Sequence, residues 1–225
     1  MSKYKYQLLR TKRRTVSVSI DPSGKLTVRA PLKLPEAQIE AYLDEKSEWI
    51  DSKIKLAQSL PQYPDLSVEE GSQIYYLGEE LTVTKKGKYA HCTKPTHNFV
   101  DATLTLPDDF TVEDLREWYR DRAERVITER VSHWCRETVT SCNGVKIGNA
   151  KSRWGSCSAS NYLIFTWKLI LCPIEIIDYI VVHELAHTVQ KNHGHTFWNM
   201  VELYIPDYME KNKWLKRNRN IIEVE

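Results

Sequence analysis

The chain of 225 residues contains little glycine and proline, eight and nine residues respectively, and almost no excess of one charge over the other. With so few of both, the chain has no low-complexity tract, and it has no internal repeat. Thirty-two Lys and Arg residues against thirty Asp and Glu give a net charge of +2, which does not by itself indicate a nucleic-acid or membrane-surface partner. With 41% hydrophobic and 28% charged residues, the composition is that of a globular protein.

Long apolar runs are also missing from the chain. No run reaches the roughly 18–20 residues that span a bilayer, and the first residues lack the apolar stretch of about 7–15 residues found in a secretory signal peptide. The five cysteines form no C-x-x-C pair, which argues against a disulfide framework and favours reduced thiols. We therefore expect a cytoplasmic protein with no membrane partner.

The first half of the chain has the pattern of a β-rich module. Two short runs within residues 16–30 alternate between apolar and polar side chains around a turn, which predicts a hairpin. Residues 35–59 carry apolar residues near a spacing of 3.6 and are predicted to form one helix. Further strands are predicted within 73–84 and 98–106. We therefore expect residues 1–107 to form a β-rich domain with one helix.

The second half predicts longer helices around a small sheet. Apolar residues at helical spacing predict one helix over 111–142 and a second over 173–190, which begins with a proline. β-branched and aromatic residues predict strand structure over 154–171. The last fifteen residues are polar and are expected to form a loosely held tail. The expected fold class is α+β, with the β-rich module packed on a second domain over 108–225.

His183-Glu184-Leu185-Ala186-His187 is an H-E-x-x-H motif inside the second of these helices. Residues four apart lie one turn apart on the same helix face, so both imidazoles can bind one metal ion. Glu184 lies beside them, where it can take a proton from a water molecule at that ion. The competing interpretation is a pair of solvated histidines beside Glu184, but the agreement between motif and predicted helix favours a metal site.

A third ligand is expected from the residues that follow this helix. A catalytic zinc site usually has three protein ligands and one position open to water. His193 lies six residues beyond His187, as in the long zinc motif H-E-x-x-H-x-x-G-x-x-H, and is favoured over His195. The histidine that is not a ligand is expected beside the site or on its substrate side. A carboxylate such as Glu202 is a weaker alternative.

The segment between these ligands departs from the long zinc motif at its glycine. Gln190 stands at that position instead. Because glycine adopts the left-handed backbone conformation that other residues rarely adopt, the chain has to turn in a different way here. We expect Asn192 and Gly194 to make this turn in left-handed conformations.

A second candidate segment, K-S-R-W-G-S-C (151–157), lies some thirty residues before the motif. Arg153 offers a positive charge for an anionic or carbonyl-bearing substrate, and Gly155 allows close approach to the backbone. The competing interpretation is a tight turn in which Trp154 is buried and Arg153 pairs with a carboxylate. Composition alone favours the turn over a substrate-binding role.

Arg10, Lys12, Arg13 and Arg14 form a basic cluster near the start of the chain. Such charges can contact phosphate groups. At the beginning of a strand they more often form a solvated edge that discourages pairing with other strands, and this interpretation is favoured. The sequence therefore gives no strong nucleic-acid signal.

Several strings occur in order along the second half: R-W-G-S-C (153–157), W-K-L-I (167–170), D-Y-I-V-V-H-E-L-A-H (178–187), N-H-G (192–194) and F-W (197–198). The first half adds V-R-A-P (28–31), W-I (49–50) and L-G (77–78). Together these strings resemble the YgjP-like (DUF45) metal-dependent hydrolases, which are related to the SprT-like and minimal gluzincin-type metallopeptidases. The resemblance implies a zincin-like catalytic unit, with a small sheet and the H-E-x-x-H motif on its active-site helix.

The resemblance also implies a cofactor and site residues. It implies one zinc ion per chain, held by His183, His187 and His193, with Glu184 as the catalytic base. Family members more often have N-W-R where this chain has T-W-K at 166–168. The role of that arginine therefore does not pass directly to this chain.

These features support three hypotheses about function. The leading one is a zinc-dependent, metallopeptidase-like hydrolase in which Arg153 stabilises negative charge on the substrate oxygen. The second is a metal-dependent nucleoside triphosphate pyrophosphatase, with Arg153, Lys151 and Lys168 binding phosphates, because family members have been linked to hydrolysis of UTP to UMP and pyrophosphate. The third is a non-catalytic, metal-stabilised binding protein. The expected partner is thus a peptide, protein or nucleotide substrate, and the sequence defines no oligomeric state.

Overall fold

The computed structural model describes residues 3–21, 24–86, 91–93 and 102–224. These residues have the expected α+β fold class, with helices and small mixed sheets. The chain divides into two units, residues 1–62 and 63–225. The domain boundary expected at 107/108 differs from the boundary between these two units. It stays a prediction. No helix among the described residues is both long and apolar enough to cross a membrane.

The first unit contains a three-stranded sheet and two helices: β1 (Tyr6–Thr11), β2 (Ser17–Ile20), β3 (Leu26–Pro31), α1 (Glu36–Glu45) and α2 (Ser47–Ser59). β3 is the central strand, parallel to β1 and antiparallel to β2, so the predicted hairpin is confirmed. Alternate residues of β3, Leu26, Val28 and Ala30, are buried, as the period of two in a strand requires. They form one hydrophobic core with buried residues of both helices.

The prediction of a single helix over 35–59 is wrong in one respect. The segment forms two helices that meet at Lys46, whose backbone angles are φ −95° and ψ 11°. Each helix buries its own apolar residues, Leu43 in α1 and Ile50 in α2 among them. Because neither glycine nor proline marks the junction, the apolar spacing contained no signal for it.

The second unit begins with β4 (Gln73–Tyr76), β5 (Glu79–Lys85), β6 (His91–Thr93) and β7 (Thr103–Leu106), which form one sheet in the order β4-β5-β7-β6. A long helix, α3 (Val112–Glu137), leads to β8 (Gly144–Gly148), β9 (Gly155–Cys157) and β10 (Tyr162–Thr166). These strands form a second sheet, in which β10 lies between β8 and β9. The remaining helices are α4 (Ile174–Val189), α5 (His195–Tyr204) and α6 (Tyr208–Arg217).

Three expectations for this unit need correction or completion. Strand structure does not extend over 154–171, because β10 ends at Thr166 and residues 167–171 form a 3₁₀ helix. The last residues are not a loose tail, since Ile221 and Val224 are buried in the core of this unit. Of the strand predicted over 98–106, residues 103–106 form β7, and residues 98–101 lie outside the described part of the chain.

Helix α4 is held in position by hydrogen bonds from α3. The first turn of α3 is stabilised by a capping box, in which Thr111 and Asp114 exchange hydrogen bonds between side chain and backbone. Further along α3, Arg130 donates two hydrogen bonds to Asp178 of α4, and Trp134 Nε1–H donates a third at 2.9 Å. A bidentate, largely buried pair of this kind fixes orientation as well as distance.

The start of α4 also contacts the hairpin between β4 and β5. At its turn, the Leu77 N–H donates to Ile170 O and the Gly78 N–H to Leu171 O, at 2.8 and 3.1 Å. Gly78 has φ +83°, and a Cβ atom added there would lie 2.5 Å from Cγ and 2.9 Å from Cα of Pro173. This position therefore requires glycine for both conformation and space.

We predict that Gly78→Ala destabilises the protein by about 3 kcal/mol, since it adds a clash with Pro173 to the cost of a left-handed backbone. Gly71→Ala is the matched control, because Gly71 has φ +79° but no atom within 4 Å of the added Cβ. The control should lose only about 1 kcal/mol. Urea unfolding monitored by circular dichroism measures both, and equal losses would contradict the proposed contact.

Candidate metal centre

The H-E-x-x-H motif lies in the last two turns of α4, as the sequence predicts. The helix begins after Pro173, which cannot donate a backbone hydrogen bond and is suited to a helix start. Most of its residues are buried, including Val181, Val182, Leu185 and Ala186 around the motif. A helix packed on several sides keeps its remaining polar face in a fixed direction. That face carries His183 and His187.

Three imidazoles converge at the end of this helix. His193 Nε2 lies 3.1 Å from His187 Nε2 and 3.1 Å from His183 Nε2. One ligand atom from each of the three residues lies within 4.8 Å of the other two. In a tetrahedral zinc site with metal–nitrogen bonds of about 2.0–2.1 Å, two ligand nitrogens are separated by about 3.3 Å. The three side chains therefore fit a metal ion by both donor type and spacing.

The protonation of His183 and His187 also suits metal binding. Burial, together with the nearby His187 and His193, lowers the pKa of His183 to about 3. Burial likewise lowers the pKa of His187. His187 Nδ1 lies 3.0 Å from the carbonyl oxygen of Gln190, which can only accept a hydrogen bond. His187 therefore carries its proton on Nδ1 and has a lone pair on Nε2 for a metal.

The ring of Phe197 contacts all three imidazoles. Its ring centroid lies 4.9 Å from that of His183, 4.5 Å from that of His187 and 4.7 Å from that of His193. The side chain is completely buried, whereas His193 is exposed. An aromatic ring in contact with all three ligand candidates limits their rotation. Phe197 itself belongs to the hydrophobic core of the second unit.

The turn between α4 and α5 does not use the left-handed conformations expected from the sequence. Gln190 ends α4 with φ −124°, and Gly194 has φ −72°. Instead, the side-chain oxygen of Asn192 accepts hydrogen bonds from the Gly194 N–H at 3.1 Å and from the Gln190 side chain at 3.0 Å. A local side-chain bond of this type stabilises a turn without positive φ.

Glu184 lies beside the imidazoles in the same cleft, which is also lined by Arg153, Gly155 and Lys191. Its side chain is buried, with 6% of the residue surface exposed. Burial raises the pKa of Glu184 to about 7, and the positive charge of Arg153 acts in the opposite direction. A carboxylate with these surroundings can accept and release a proton near neutral pH.

Strand β9 passes directly over this carboxylate. A Cβ atom added to Gly155 would lie 2.7 Å from both Cγ and Oε1 of Glu184. Glycine at 155 thus lets the strand backbone approach the glutamate, whereas the sequence suggested approach to a substrate. Arg153, for which a carboxylate partner was one interpretation, is exposed and forms no ion pair within the described residues.

His195, Glu202, Lys151 and Lys168 do not belong to the three-imidazole cluster. His195 accepts a hydrogen bond from the Asn199 side chain at 3.1 Å, and neither it nor Glu202 belongs to the cluster of metal-binding side chains. Lys168 is buried and donates to Ile222 O at 2.7 Å. With Lys151 it lines a different cavity, which also contains Arg116 and Arg120.

Lys191 lines the cleft although the sequence gave no reason to select it. Its ammonium group donates to Asn161 Oδ1 at 2.6 Å and to Ser158 O at 3.1 Å, and lies 3.5 Å from Cys157 Sγ. These partners are about thirty residues away in sequence, so no local motif connects them. Through these hydrogen bonds, Lys191 connects the end of α4 with the loop after β9.

A family model described as YgjP-like, metallopeptidase domain, matches residues 14–218. The chain is also similar to a solved structure, the metallopeptidase zymogen of Methanocaldococcus jannaschii jannalysin, with 23% identity over 39% of this chain and 94% of that chain. The TM-score of 0.34 is too low for this likeness to support an argument. No curated protein matches the chain.

We predict that the purified protein binds one zinc ion per chain and that His193→Ala weakens binding more than about 100-fold, since even residues that only orient a ligand contribute about 10–100-fold. His195→Ala is the matched control and should keep the affinity of the unmodified protein. Both histidines are exposed, so neither change removes core packing. Calorimetric titration with zinc measures both, and the reverse ranking would assign the ligand role to His195.

Proposed function

Because this chain belongs to the YgjP-like family of metallopeptidase domains, we propose that it is a zinc-dependent hydrolase that cleaves peptide bonds with Glu184 as general base. One observation supports this assignment above the others. The buried Glu184 carboxylate and three convergent imidazoles line one cleft. A buried base beside a three-histidine cluster is the combination that metal-assisted hydrolysis requires.

Each residue of the cleft has a separate role in this proposal. His183, His187 and His193 would hold the zinc ion through their Nε2 atoms. When bound, the ion acts as a Lewis acid that makes a water molecule more acidic and polarises the substrate carbonyl. Glu184 accepts a proton from that water molecule while the water oxygen attacks the carbonyl carbon. The same carboxyl group then donates the proton to the amine as the carbon–nitrogen bond breaks.

Arg153 is proposed to stabilise negative charge on the carbonyl oxygen. Its guanidinium is exposed at the cleft and lies close enough to Glu184 to affect the pKa of that carboxyl. No carboxylate in the described part of the chain neutralises it through an ion pair. A free guanidinium is suited to an oxygen on which charge develops during the reaction.

The edge of the second sheet favours an extended peptide as substrate. β9 is an edge strand, and Gly155 and Cys157 line the cleft. The hydrogen bonds to β10 are made on either side, by Trp154 O and by the Ser158 N–H. Since alternate residues of an antiparallel strand face away from the partner strand, the backbone groups of Gly155 and Cys157 point away from β10. An extended peptide can pair with such an edge beside the three-histidine cluster.

Nucleoside triphosphate hydrolysis is the second candidate. It is supported by the two cations of the cleft, Arg153 and Lys191, which suit an anionic group. The arrangement expected from the sequence, in which Lys151 and Lys168 also bind phosphates, has less support. Both lysines line the other cavity, and Lys168 is buried with a hydrogen bond to Ile222 O.

The exposure of the cluster argues against a purely structural metal. Structural zinc sites are usually closed by four protein ligands. Among the described residues, the group of possible ligand atoms contains three histidines, and His193 is exposed. A three-ligand site at an open cleft leaves a position for water or substrate.

We predict that Glu184→Gln lowers hydrolysis about 10²–10⁴-fold, the usual contribution of a general base, while zinc binding is retained. The zinc-loaded protein and the variant are each incubated with a mixed peptide library and the common nucleoside triphosphates, and products are identified by mass spectrometry. New peptide termini that disappear in the variant are the expected result. Glu202→Gln, a change at an exposed glutamate outside the cluster, should leave turnover unchanged.

Two other outcomes would contradict the proposal. Nucleoside monophosphate and pyrophosphate, again lost in the Glu184→Gln variant, would assign the cleft to phosphate chemistry instead of peptide cleavage. Products formed equally by the protein and this variant would remove Glu184 from the mechanism. In either case, zinc titration of the same samples shows whether the three histidines still bind the metal ion.

We also predict that Gly155→Ala lowers kcat about 100-fold with zinc still bound, because the added Cβ displaces the Glu184 carboxylate from its working position. Gly148→Ala in β8 is the matched control. A Cβ atom there would have its nearest neighbour at 3.8 Å, an ordinary contact. Steady-state kinetics on the substrate identified above measures both, and similar kcat values for the two variants would refute the coupling of strand and base.

A further inference from the structure

The first unit has a strongly uneven distribution of charge. Residues 1–35 contain nine Lys and Arg residues and one acidic residue, Asp21. Residues 36–51, which include α1 and the start of α2, contain six acidic residues and one lysine, Lys46. The sheet segment is therefore basic and the helical segment acidic. The near-neutral charge of the whole chain conceals this separation.

The register of the sheet assigns the strand residues to two faces. Leu26, Val28 and Ala30 of β3 are buried against α1 and α2. Residues of the opposite parity form the other face, here called the open face. It consists of polar side chains with two apolar residues, Leu9 and Pro31: Gln7, Leu9, Thr11, Ser17, Ser19, Thr27, Arg29 and Pro31.

Four cations belong to the open face or its ends. Arg29 lies at its centre, is exposed, and is paired in register with Ser17. At one end, Lys5 and Lys25 are exposed and line the same shallow cleft. At the other end, Arg13 donates a hydrogen bond to Ser17 Oγ at 2.7 Å. Lys25 and Arg29 are about 13 Å apart along the strand, at the usual rise per residue.

None of these four side chains forms an ion pair in the described residues, although the Lys25 backbone N–H donates to the Asp21 carboxylate at 2.9 Å. Of the nine cations in residues 1–35, Lys3 alone forms an ion pair there, with Asp51 of α2. Arg29 contacts Ser19 Oγ, a neutral hydroxyl group. Lysine and arginine side chains that are not neutralised by the protein keep their charge for an external anion.

We propose that the open face binds nucleic acid through its phosphodiester backbone. Arginine and lysine neutralise phosphate charge, and Ser, Thr and Gln side chains donate hydrogen bonds to phosphate oxygens, which are the groups that this face presents. No aromatic residue lies on the open face, and Tyr6, which lines the cleft with Lys5 and Lys25, has the parity of the buried face. We therefore expect binding without base stacking and without sequence preference. The inference is separate from the hydrolytic function proposed above.

The same composition favours nucleic acid over a membrane surface. Membrane-surface segments combine basic residues with Trp, Phe and Leu side chains that enter the lipid. Leu9 is the one large apolar side chain of the open face, and it is half-buried. A face of hydroxyl, amide and guanidinium groups has little to insert into lipid, whereas every one of them can contact a phosphate.

The test is binding of a fluorescein-labelled 30-base-pair DNA duplex and a labelled 30-nucleotide RNA to the full chain, followed by fluorescence anisotropy at several salt concentrations. Four phosphate contacts predict a slope of log K against log salt of about −3.6 for the duplex, a loss of roughly 100-fold between 50 and 200 mM salt. The double variant Lys25→Gln, Arg29→Gln should reduce the slope to about −1.8. The two probes distinguish DNA from RNA as the source of the phosphates.

Lys53→Gln, Lys55→Gln is the matched control, because it removes the same charge from exposed positions of α2. The control should keep the slope and affinity of the unmodified protein. Equal losses in both double variants would mean that net charge alone causes binding, and unchanged binding in the open-face variant would locate the contact elsewhere. Binding to phosphatidylserine vesicles without binding to either nucleic acid would also overturn the proposal. Circular dichroism of each variant verifies that the fold is retained.

Discussion

The packing of strand β9 on helix α4 is the contact on which the candidate site depends. Gly155 brings the strand backbone so close to Glu184 that even one methyl group would meet the carboxylate at 2.7 Å. The same contact buries Glu184, which raises its pKa, and leaves the outer edge of β9 beside the imidazoles. Helix position is therefore as important as residue identity. Arg130 and the turn at Gly78 hold α4 in that position from two directions.

Local features of this site follow from the sequence. Spacing of four on a helix is enough to bring His183 and His187 together, because the helix repeat determines the angle between them. The separation of six residues also led to His193, which lies 3.1 Å from both in the structure. The backbone conformation of the turn between His187 and His193 could not be derived from the same spacing. The side chain of Asn192 supplies the turn through a hydrogen bond, so positive φ is not needed and the missing glycine has no effect.

Features that depend on distant residues could not be derived in this way. Lys168 and Lys151 are near Arg153 in sequence, yet they line another cavity, and the partner of Lys168, Ile222 O, is 54 residues away. Buried Ile221 similarly shows why a polar composition did not predict the end of the chain, since a few apolar side chains suffice to attach it to the core. Sequence spacing reports local geometry, whereas these contacts are determined by how helices and sheets pack.

The net charge of the whole chain conceals the local charge of its first unit. Residues 1–62 contain twelve Lys and Arg against seven Asp and Glu, so the first unit is basic although the whole chain is nearly neutral. At 0.1 M salt the Debye length is about 10 Å, and a ligand responds mainly to charges within that distance. An anion midway between Lys25 and Arg29 would lie about 7 Å from each of them along the strand. Of the seven acidic residues of this unit, six belong to residues 36–51, in the helical segment. Net charge is thus a poor guide to partners whenever opposite charges are separated by secondary structure, as the strands and helices of this unit separate them.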